Sequence, residues 1–414
     1  MDSGHTAWML TASAFVFFMT PGLALFYGGL VRAKSLVNTI MLSIMTICVV
    51  TIVWTLWGYS LAYGPNVTGA PLIEGVIGNF EVLGLNGIRW DPLDSGGSFG
   101  GSGVDVLFQM MFAIITPALI TGAFVERFKF STYLIFTVIW ITLVYCPVAY
   151  WVWGGGWIGA DGAGALDFAG GIVIHITAGA AAVAAALLVG KRSNPGLQPN
   201  NVPYVILGAA ILWFGWFGFN GGSALLADGY AVNAMLVTQI SAATAATTWG
   251  LIGLFKTGKI SGIGIATGAI AGLASITPAA GSVNALGALA IGLGAGIICY
   301  FAIELIKKTN LDDALDVFAV HGVGGLWGCI AAGIFAVESI AGVKGLIDGS
   351  FDQVWIQTYT ALAVLVYTFV VSFIILFILD KVPGLGLRVS ASDEDLGLDL
   401  AVHGEQATVR DGAD

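Results

Sequence analysis

Long apolar runs separated by short polar segments dominate the sequence. A helix needs about 20 apolar residues to cross the hydrocarbon core of a bilayer, which is about 30 Å thick. Eleven runs reach or approach that length, and each predicts a membrane-spanning helix: 6–31, 36–63, 104–125, 131–152, 166–190, 202–225, 231–255, 261–278, 283–306, 314–336 and 355–380. The weakest candidate is 261–278, which is short and rich in glycine and alanine. The pattern therefore predicts an all-α polytopic membrane protein, with the lipid bilayer as its surroundings and no nucleic acid as a partner.

Composition agrees with this fold class. Of the 414 residues, 57% are hydrophobic and only 10% are charged, and the mean hydropathy is +0.90. Soluble domains carry about 25% charged residues, which excludes a large soluble enzyme. The 59 glycines fit a membrane bundle, because small residues let helices approach closely in lipid. The sequence contains no recognisable nucleophile motif, metal cluster or cofactor loop, so we predict no catalytic residue, no metal and no cofactor.

Basic residues are confined almost entirely to alternate loops and the C-terminal tail. Ten lie in five alternate loops: Arg32, Lys34, Arg127, Lys129, Lys191, Arg192, Lys256, Lys259, Lys307 and Lys308. Lys381, Arg388 and Arg410 in the tail make 13 of the 15 cations on one side, whereas Arg89 and Lys344 lie on the other. The positive-inside rule then predicts a cell-membrane protein with its N-terminus outside and its C-terminus in the cytoplasm. No cation precedes the first run, so we do not expect a cleaved signal peptide.

Two long segments lie outside the predicted spans. Residues 64–103 form a predicted external loop that carries four acids, Glu74, Glu81, Asp91 and Asp94. Residues 384–414 form a predicted cytoplasmic tail with two arginines and seven acids: Asp393, Glu394, Asp395, Asp399, Glu405, Asp411 and Asp414. Such an acidic tail is either a solvated, partly disordered end or a regulatory segment.

Three short patterns recur at an offset of five spans. The first and sixth spans share "ALFYGGL" (24–30) and "FGFNGGS" (217–223), and the third and eighth share "ITPA" (115–118 and 276–279). The fifth and tenth share "LDFAGGIVIH" (166–175) and "LDVFAVH" (315–321). Because five is odd, the second copy must be inverted in the membrane. We therefore predict two inverted five-helix repeats, about 6–190 and 202–336, and an eleventh helix at about 355–380. In transporters with this architecture the site lies near the midplane.

Two histidines occupy repeat-related positions within the spans. At helical rise His175 lies about 12 Å beyond Asp167, and His321 lies about 7.5 Å beyond Asp316 on a span that runs the opposite way. Both imidazoles are thus carried towards the midplane, where an ionisable residue costs roughly 2.5 kcal/mol and usually faces a cavity. A hydrogen-bonded core imidazole is the alternative for each histidine. Asp167 and Asp316 lie near helix starts, which predicts that both cap free N–H groups.

Aromatic residues give a weaker signal. Trp153 precedes three glycines at an external helix end, where its indole could face a cation. A place in the interfacial aromatic belt is the alternative. The spacing of Phe112 and Phe219 alone predicts only core positions.

Seven stretches closely resemble the ammonium transporters of the Amt/Mep/Rh superfamily, particularly the bacterial and archaeal Amt branch. They are "TPGLALFYGGLVRAKS" (20–35), "FQMMFAIITPALITGAFVERFKFS" (108–131), "YWVWGGGW" (150–157), "DFAGGIVIHITAG" (167–179), "GWFGFNGGSA" (215–224), "DVFAVHGVGG" (316–325) and "GLRVSASDEDLGLDLAVHGE" (386–405). The resemblance covers essentially the whole chain. It implies a membrane domain at 1–383 and a cytoplasmic regulatory tail at 384–414.

The resemblance also implies roles for individual residues. His175 and His321 match twin histidines that line a narrow pore, and Phe112 and Phe219 match stacked rings at its external mouth. Phe112, Trp153 and Ser223 match a vestibule where ammonium is held, with Asp167 in support. Six further residues match pore or vestibule walls: Leu23, Phe26, Tyr27, Leu119, Trp216 and Val317. Members of the family are homotrimers, and trimeric PII signalling proteins are associated with their tails.

The function that this resemblance implies is ammonium uptake. Ammonium would be recruited outside and deprotonated, because desolvation lowers the pKa of an ammonium group. Ammonia would then pass the histidines while the proton is relayed, giving net charge transfer; methylammonium is a further candidate substrate. Two alternatives stay open: an electroneutral ammonia channel, and an ammonium sensor that acts through a cytoplasmic partner. Paired NPA boxes and a TVGYG filter are absent from the sequence, which disfavours water and potassium channels.

Overall fold

The computed structural model describes residues 3–90, 100–196 and 199–408. Asp91, Asp94, Arg410, Asp411 and Asp414 of the predicted loop and tail lie outside the described residues. Eleven long helical segments, numbered here as spans 1 to 11, follow one another: Ser3–Leu30, Ala33–Asn66, Gly103–Ala123, Phe130–Trp153, Gly171–Val189, Val202–Gly222, Gly229–Thr257, Gly262–Ala279, Ala285–Ile306, Phe318–Phe335 and Asp352–Lys381. Within these described ranges there are isolated bridges but no strand. The predicted all-α fold with eleven membrane-length helices is confirmed.

Most predicted bounds agree with the structure to within a few residues. The main shifts are at the starts of spans 5 and 10, which begin at Gly171 and Phe318 rather than at 166 and 314. Ten of the eleven segments are apolar and long enough to cross a membrane; the exception among the described residues is Gly229–Thr257, not 261–278.

Span 7 is less apolar than the other spans, and its polar side chains form hydrogen bonds with neighbouring parts of the bundle. Thr238 Oγ1 accepts a 2.8 Å hydrogen bond from Asn220, and Ser241 donates one of 2.9 Å to the carbonyl of Gly272. Asn233 donates one of 3.1 Å to the carbonyl of Val283. Such paired polar groups hold helices together in lipid, where apolar surface alone gives no preference.

Glycines allow repeat-related spans to cross in close contact. Where span 1 meets span 6, a Cβ on Gly208 would lie 2.3 Å from the backbone nitrogen of Phe26. Where span 5 meets span 10, a Cβ on Gly179 would lie 2.3 Å from the Cα of Gly322. These two crossings join partners that lie five spans apart, in keeping with two inverted five-helix repeats followed by an eleventh helix.

Spans 5 and 10 share a second feature, a π-helical turn at their start. His175 lies in the π turn Gly171–Ile176, and His321 lies in the π turn Phe318–Val323. Turns of this kind insert one extra residue and often occur at functional sites. The two histidines are therefore presented by equivalent local backbone in the two repeats.

Several basic loops and the tail meet on one face of the bundle. The buried Glu126 accepts hydrogen bonds from the backbone and Nε of Arg32 at 2.8 and 2.9 Å, and its Oε2 lies 3.5 Å from Arg192. Arg388 of the tail donates 2.6 Å hydrogen bonds to the carbonyl of Lys191 and to Glu394. The loops that the charge pattern assigned to one side thus lie side by side.

The tail packs on this face as far as His403, which contacts Asn38 and Phe130. Glu394 accepts the N–H of Ser193 at 2.6 Å, which ties the tail to the loop after span 5. Asp399 accepts the N–H groups of Val37 and Asn38 at 3.1 and 2.8 Å and so caps a helix within span 2. A solvated, disordered tail is therefore wrong for the described part of this segment.

Gly208→Ala is expected to lower the free energy of unfolding by about 2 kcal/mol, because the added methyl group overpacks the crossing of spans 1 and 6. The measurement is a denaturant titration of the protein in detergent micelles. Gly229→Ala is the matched control, since a Cβ there meets nothing within 4 Å. Equal stability of the two variants would contradict the close crossing.

Candidate conduction pathway

Three cavities follow one another through the bundle. The outer vestibule, named for its place on the face opposite the tail, has a volume of about 360 Å³ and is lined by Phe112. A narrow cavity of about 10 Å³, with room for about one water, lies between Phe219 and the two histidines. An inner vestibule of about 500 Å³ shares Phe26 and His321 with the narrow cavity. Together the cavities outline a path that is wide at both ends and constricted in the middle.

The outer vestibule brings together the three residues expected there. Phe112, Trp153 and Ser223 all line it. The rings of Phe112 and Trp153 meet edge to face, with centroids 6.2 Å apart and planes at 86°. Ser223 donates its hydroxyl hydrogen to the carbonyl of Phe219 at 2.8 Å, so the oxygen lone pairs remain available to a cation. π faces and a hydroxyl oxygen are groups that attract a small cation without binding it permanently.

Asp167 lies behind this vestibule, not in its lining. Its carboxylate is 6% exposed and accepts the N–H groups of Gly170, Ile172 and Val173 at 3.1, 2.9 and 3.1 Å. It therefore caps span 5, as the sequence predicted. Its backbone carbonyl also accepts the indole N–H of Trp153 at 2.9 Å, which fixes the indole at the vestibule wall.

Two phenylalanines in ring contact separate the outer vestibule from the narrow cavity. The ring centroids of Phe112 and Phe219 are 4.4 Å apart, their planes are tilted by 37°, and both side chains are about 1% exposed. The row of rings continues inward, since Phe219 lies 6.1 Å from the ring of His175 at an angle of 20°. A hydrated cation cannot pass these rings without losing its water.

The two histidines, 146 residues apart in sequence, are in direct contact. Their Nδ1 atoms are 3.2 Å apart and their rings are nearly parallel, at 18°. In such a contact one Nδ1–H donates and the other Nδ1 accepts, so two neutral rings must be opposite tautomers. One Nε2 is then an acceptor and the other a donor. Within the described structure the buried Nε2 of His175 has no hydrogen-bond partner.

The remaining predicted wall residues surround these rings and are mostly apolar. Leu23, Phe26, Leu119 and Trp216 line the narrow cavity, whereas Tyr27 and Val317 line the inner vestibule. The two polar groups among them are satisfied by the protein, because Tyr27 donates to the carbonyl of Leu119 at 3.0 Å and Trp216 donates to Thr277 at 2.9 Å. The constriction thus offers a small ligand little polar contact beyond the imidazoles.

The capping role expected of Asp316 is wrong. Asp313, three residues earlier, accepts the N–H of Phe318 at 2.7 Å. Asp316 adopts a positive φ of 60° and its carboxylate lies 3.6 Å from the amino group of Lys307. The error follows from the left-handed turn at Asp316, which leads into span 10 and leaves Asp313, at the start of that turn, to accept the N–H of Phe318.

Sequence reasoning also missed two polar residues of the outer vestibule, Asp105 and Gln109. Asp105 accepts the phenol hydrogen of Tyr59 at 2.7 Å, and Gln109 accepts that of Tyr63 at 3.0 Å. A signal was present, since positions 105, 109 and 112 fall on one face of span 3.

Comparisons with known proteins agree with this architecture. A model of the Ammonium Transporter Family matches residues 7–408. An ammonium transporter of Aquifex aeolicus is 48% identical over 98% of this chain and 94% of its own length, and Amt1 of Archaeoglobus fulgidus is 43% identical over 98% and 100%. The crystal structure of Saccharomyces cerevisiae Mep2 has a TM-score of 0.85 at 37% identity and covers 94% of this chain and 91% of its own. A structure named Sensor Amt Protein has a TM-score of 0.86 at 29% identity, over 96% of this chain and 98% of its own. The resemblance inferred from the sequence is therefore confirmed, and the chain belongs to the ammonium transporter family.

Proposed function

We propose that this chain takes up ammonium across the cell membrane by splitting it into ammonia and a proton, which cross together. The supporting observation is the direct contact between His175 and His321 in an apolar constriction beneath the two phenylalanine rings. The relatives are named transporters, so no catalytic residue or cofactor is assigned.

Recruitment begins in the outer vestibule. Phe112 and Trp153 offer π faces and Ser223 offers an oxygen, while the buried charge of Asp167 favours a cation in front of it. Each contact is weak compared with the hydration of the ion. The vestibule therefore concentrates ammonium without trapping it.

Deprotonation follows from the cost of desolvation. Moving an ammonium ion past Phe112 and Phe219 removes its water, which favours the neutral form. Ammonia then passes as a neutral molecule. Potassium has no proton to lose and must pay the full desolvation cost, so the same constriction excludes it.

The histidine pair is suited to carry both products. The Nε2 acceptor of one ring can bind an N–H of ammonia, and the donor of the other can bind its lone pair. When the acceptor Nε2 gains a proton, the shared Nδ1 hydrogen passes to the other ring and that ring releases its Nε2 hydrogen. Both tautomers are then reversed and one proton has moved along the pair. The proton and the ammonia thus share one route, and net positive charge enters.

Two alternative functions remain open. An electroneutral ammonia channel would use the same apolar constriction without the relay. The fold similarity to a protein named Sensor Amt Protein supports a sensor that acts through a cytoplasmic partner. An ammonium-driven current distinguishes electrogenic uptake from an electroneutral ammonia channel. Measurable transport of ammonium distinguishes uptake from a sensor.

Replacement of both His175 and His321 by alanine is expected to reduce the ammonium-driven current at least about tenfold, because the relay is lost. The measurement is the transient current of proteoliposomes on a solid-supported membrane after an ammonium pulse. His5→Ala is the matched control, since His5 is half-buried at the start of span 1, accepts the N–H of Ala227 and lines none of the three cavities. Ammonia-dependent alkalinisation inside the vesicles without any current would contradict the electrogenic mechanism.

Asp167→Asn is expected to raise the half-saturating external ammonium concentration about tenfold, equivalent to about 1.4 kcal/mol, because it removes the charge behind the vestibule. The asparagine oxygen can still accept an N–H group of the helix start, so stability should change little. Asp161→Asn, an exposed acid in the same loop, is the control. An unchanged half-saturating concentration would limit Asp167 to helix capping.

We further propose the assembly and orientation that the family resemblance implies. The chain forms a homotrimer with one pore per subunit, the N-terminus outside and the C-terminus in the cytoplasm. Residues 1–383 form the membrane domain, and 384–414 form a regulatory tail for a trimeric PII protein. The folded contacts of Arg388, Glu394 and Asp399 with the basic face support a tail that acts on the pore.

Asp399→Ala is expected to release the tail and to change the ammonium current at least about threefold, because it removes two N–H acceptors that tie the tail to span 2. The assay is the same current measurement, with Asp395→Ala as an exposed control in the tail. A current equal to that of the wild type would show that the tail does not affect conduction. Retention of a PII protein by the full chain, but not by 1–383, tests the partner.

A further inference from the structure

The inner vestibule lies directly below His321 and is unlike the outer one in its charge. Its lining includes three acids, Asp312, Asp313 and Asp316, and three bases, Lys191, Arg192 and Lys307. Ammonia that leaves the histidines enters this chamber first. The protonation state of the acids and bases that line the chamber therefore affects how ammonia is released.

Two of the three acids have cationic partners. Asp312 binds Arg192 through both carboxylate oxygens, at 2.7 and 2.9 Å. Asp316 lies 3.6 Å from the amino group of Lys307, in a pair whose members are 24% and 66% exposed. Neither acid is left with an uncompensated charge.

Asp313 differs from both neighbours. It is 7% exposed, and one oxygen, Oδ2, accepts the N–H of Phe318 at 2.7 Å. The other oxygen, Oδ1, has no hydrogen-bond partner in the described part of the chain, and no cationic group lies within ion-pairing distance of the carboxylate. A buried oxygen without a donor costs about 1–3 kcal/mol, so an unsatisfied group of this kind calls for a ligand.

Asp167 provides the comparison within the same molecule. Both carboxylates cap the first turn of repeat-related spans, but Asp167 uses both oxygens for three N–H groups. Asp313 uses only one oxygen for the helix and leaves the other free, beside a cavity large enough for several waters. Oδ1 of Asp313 can therefore accept a hydrogen bond from an additional donor.

We propose that Asp313, assisted by Asp316, forms an inner ammonium site where ammonia that has passed His321 is held in its protonated form before release. The inference rests on the proposed uptake function. Ammonium has four N–H donors, one of which satisfies Oδ1. If the carboxyl is protonated when ammonia arrives, its proton moves to the ammonia nitrogen and leaves a carboxylate beside the new ammonium ion. That carboxylate regains a proton from cytoplasmic water after release.

The charges around Asp313 favour such an exchange near neutral pH. Burial, together with the negative charge of Asp316, raises the pKa of Asp313 to about 7, against the opposing effect of Arg127. The other titratable or charged groups that line the chamber are Tyr27, Lys191, Arg192, Lys307, Asp312 and His321. Below pH 7 the carboxyl is mostly neutral and binds a cation weakly; above it the charged form prevails and binds more strongly.

The test measures ammonium affinity separately on the two faces. Proteoliposomes that expose the tail are isolated on a C-terminal affinity tag, and the unbound vesicles present the opposite face. With Asp313→Asn the half-saturating ammonium concentration is expected to rise at least about fivefold on the tail face and to stay unchanged on the other. In the wild type that concentration rises on the tail face as the pH falls from about 8 to about 6; in the variant it depends on pH less strongly.

Several outcomes would overturn the site. They are an unchanged affinity on the tail face, an equal loss on both faces, or the same pH dependence in wild type and variant. Asp380→Asn, an exposed acid at the inner end of span 11, is the control and leaves both faces unchanged. Should Asp313→Asn not fold, Asp313→Glu keeps the charge and is expected to retain the pH dependence. A wild-type protein without any ammonium response would overturn the proposed function, and this site with it.

Discussion

The cost of placing a charge between Phe219 and the two imidazoles is the constraint on which the rest of the structure depends. The narrow cavity holds about 10 Å³ and its walls turn their polar atoms into the protein, so no ion keeps its hydration there. The residues on either side of the constriction are arranged around this desolvation cost. In the proposed mechanism the outer vestibule gathers cations, the two phenylalanine rings strip water, and the histidines offer one donor and one acceptor to a neutral molecule.

The scaffold makes this arrangement stable by repeating it. Spans 5 and 10 each begin with a capping aspartate and a π turn, and each places one histidine at the centre. Inversion of one repeat brings together two residues that are 146 positions apart. A symmetric scaffold can nevertheless hold different chemistry at its two ends, because Asp167 is fully bonded whereas Asp313 is not.

Much of this organisation could be predicted from the sequence. Apolar runs gave the eleven spans, and the repeat placed both histidines at the midplane, because these signals depend on composition and order alone. What could not be predicted depends on backbone geometry. The π turns that present His175 and His321 leave no periodic signal in the sequence. The same holds for the left-handed turn at Asp316, which gives the cap of span 10 to Asp313. The bond between Asp105 and Tyr59 joins two spans, so neither residue signals it alone.

The glycine contact between Gly179 and Gly322 has a mechanical consequence. Since the backbones of spans 5 and 10 touch just beyond the histidines, the two spans cannot move past each other there without losing this packing. Motion at the constriction is therefore left to the side chains that line it and not to a relative displacement of the two spans.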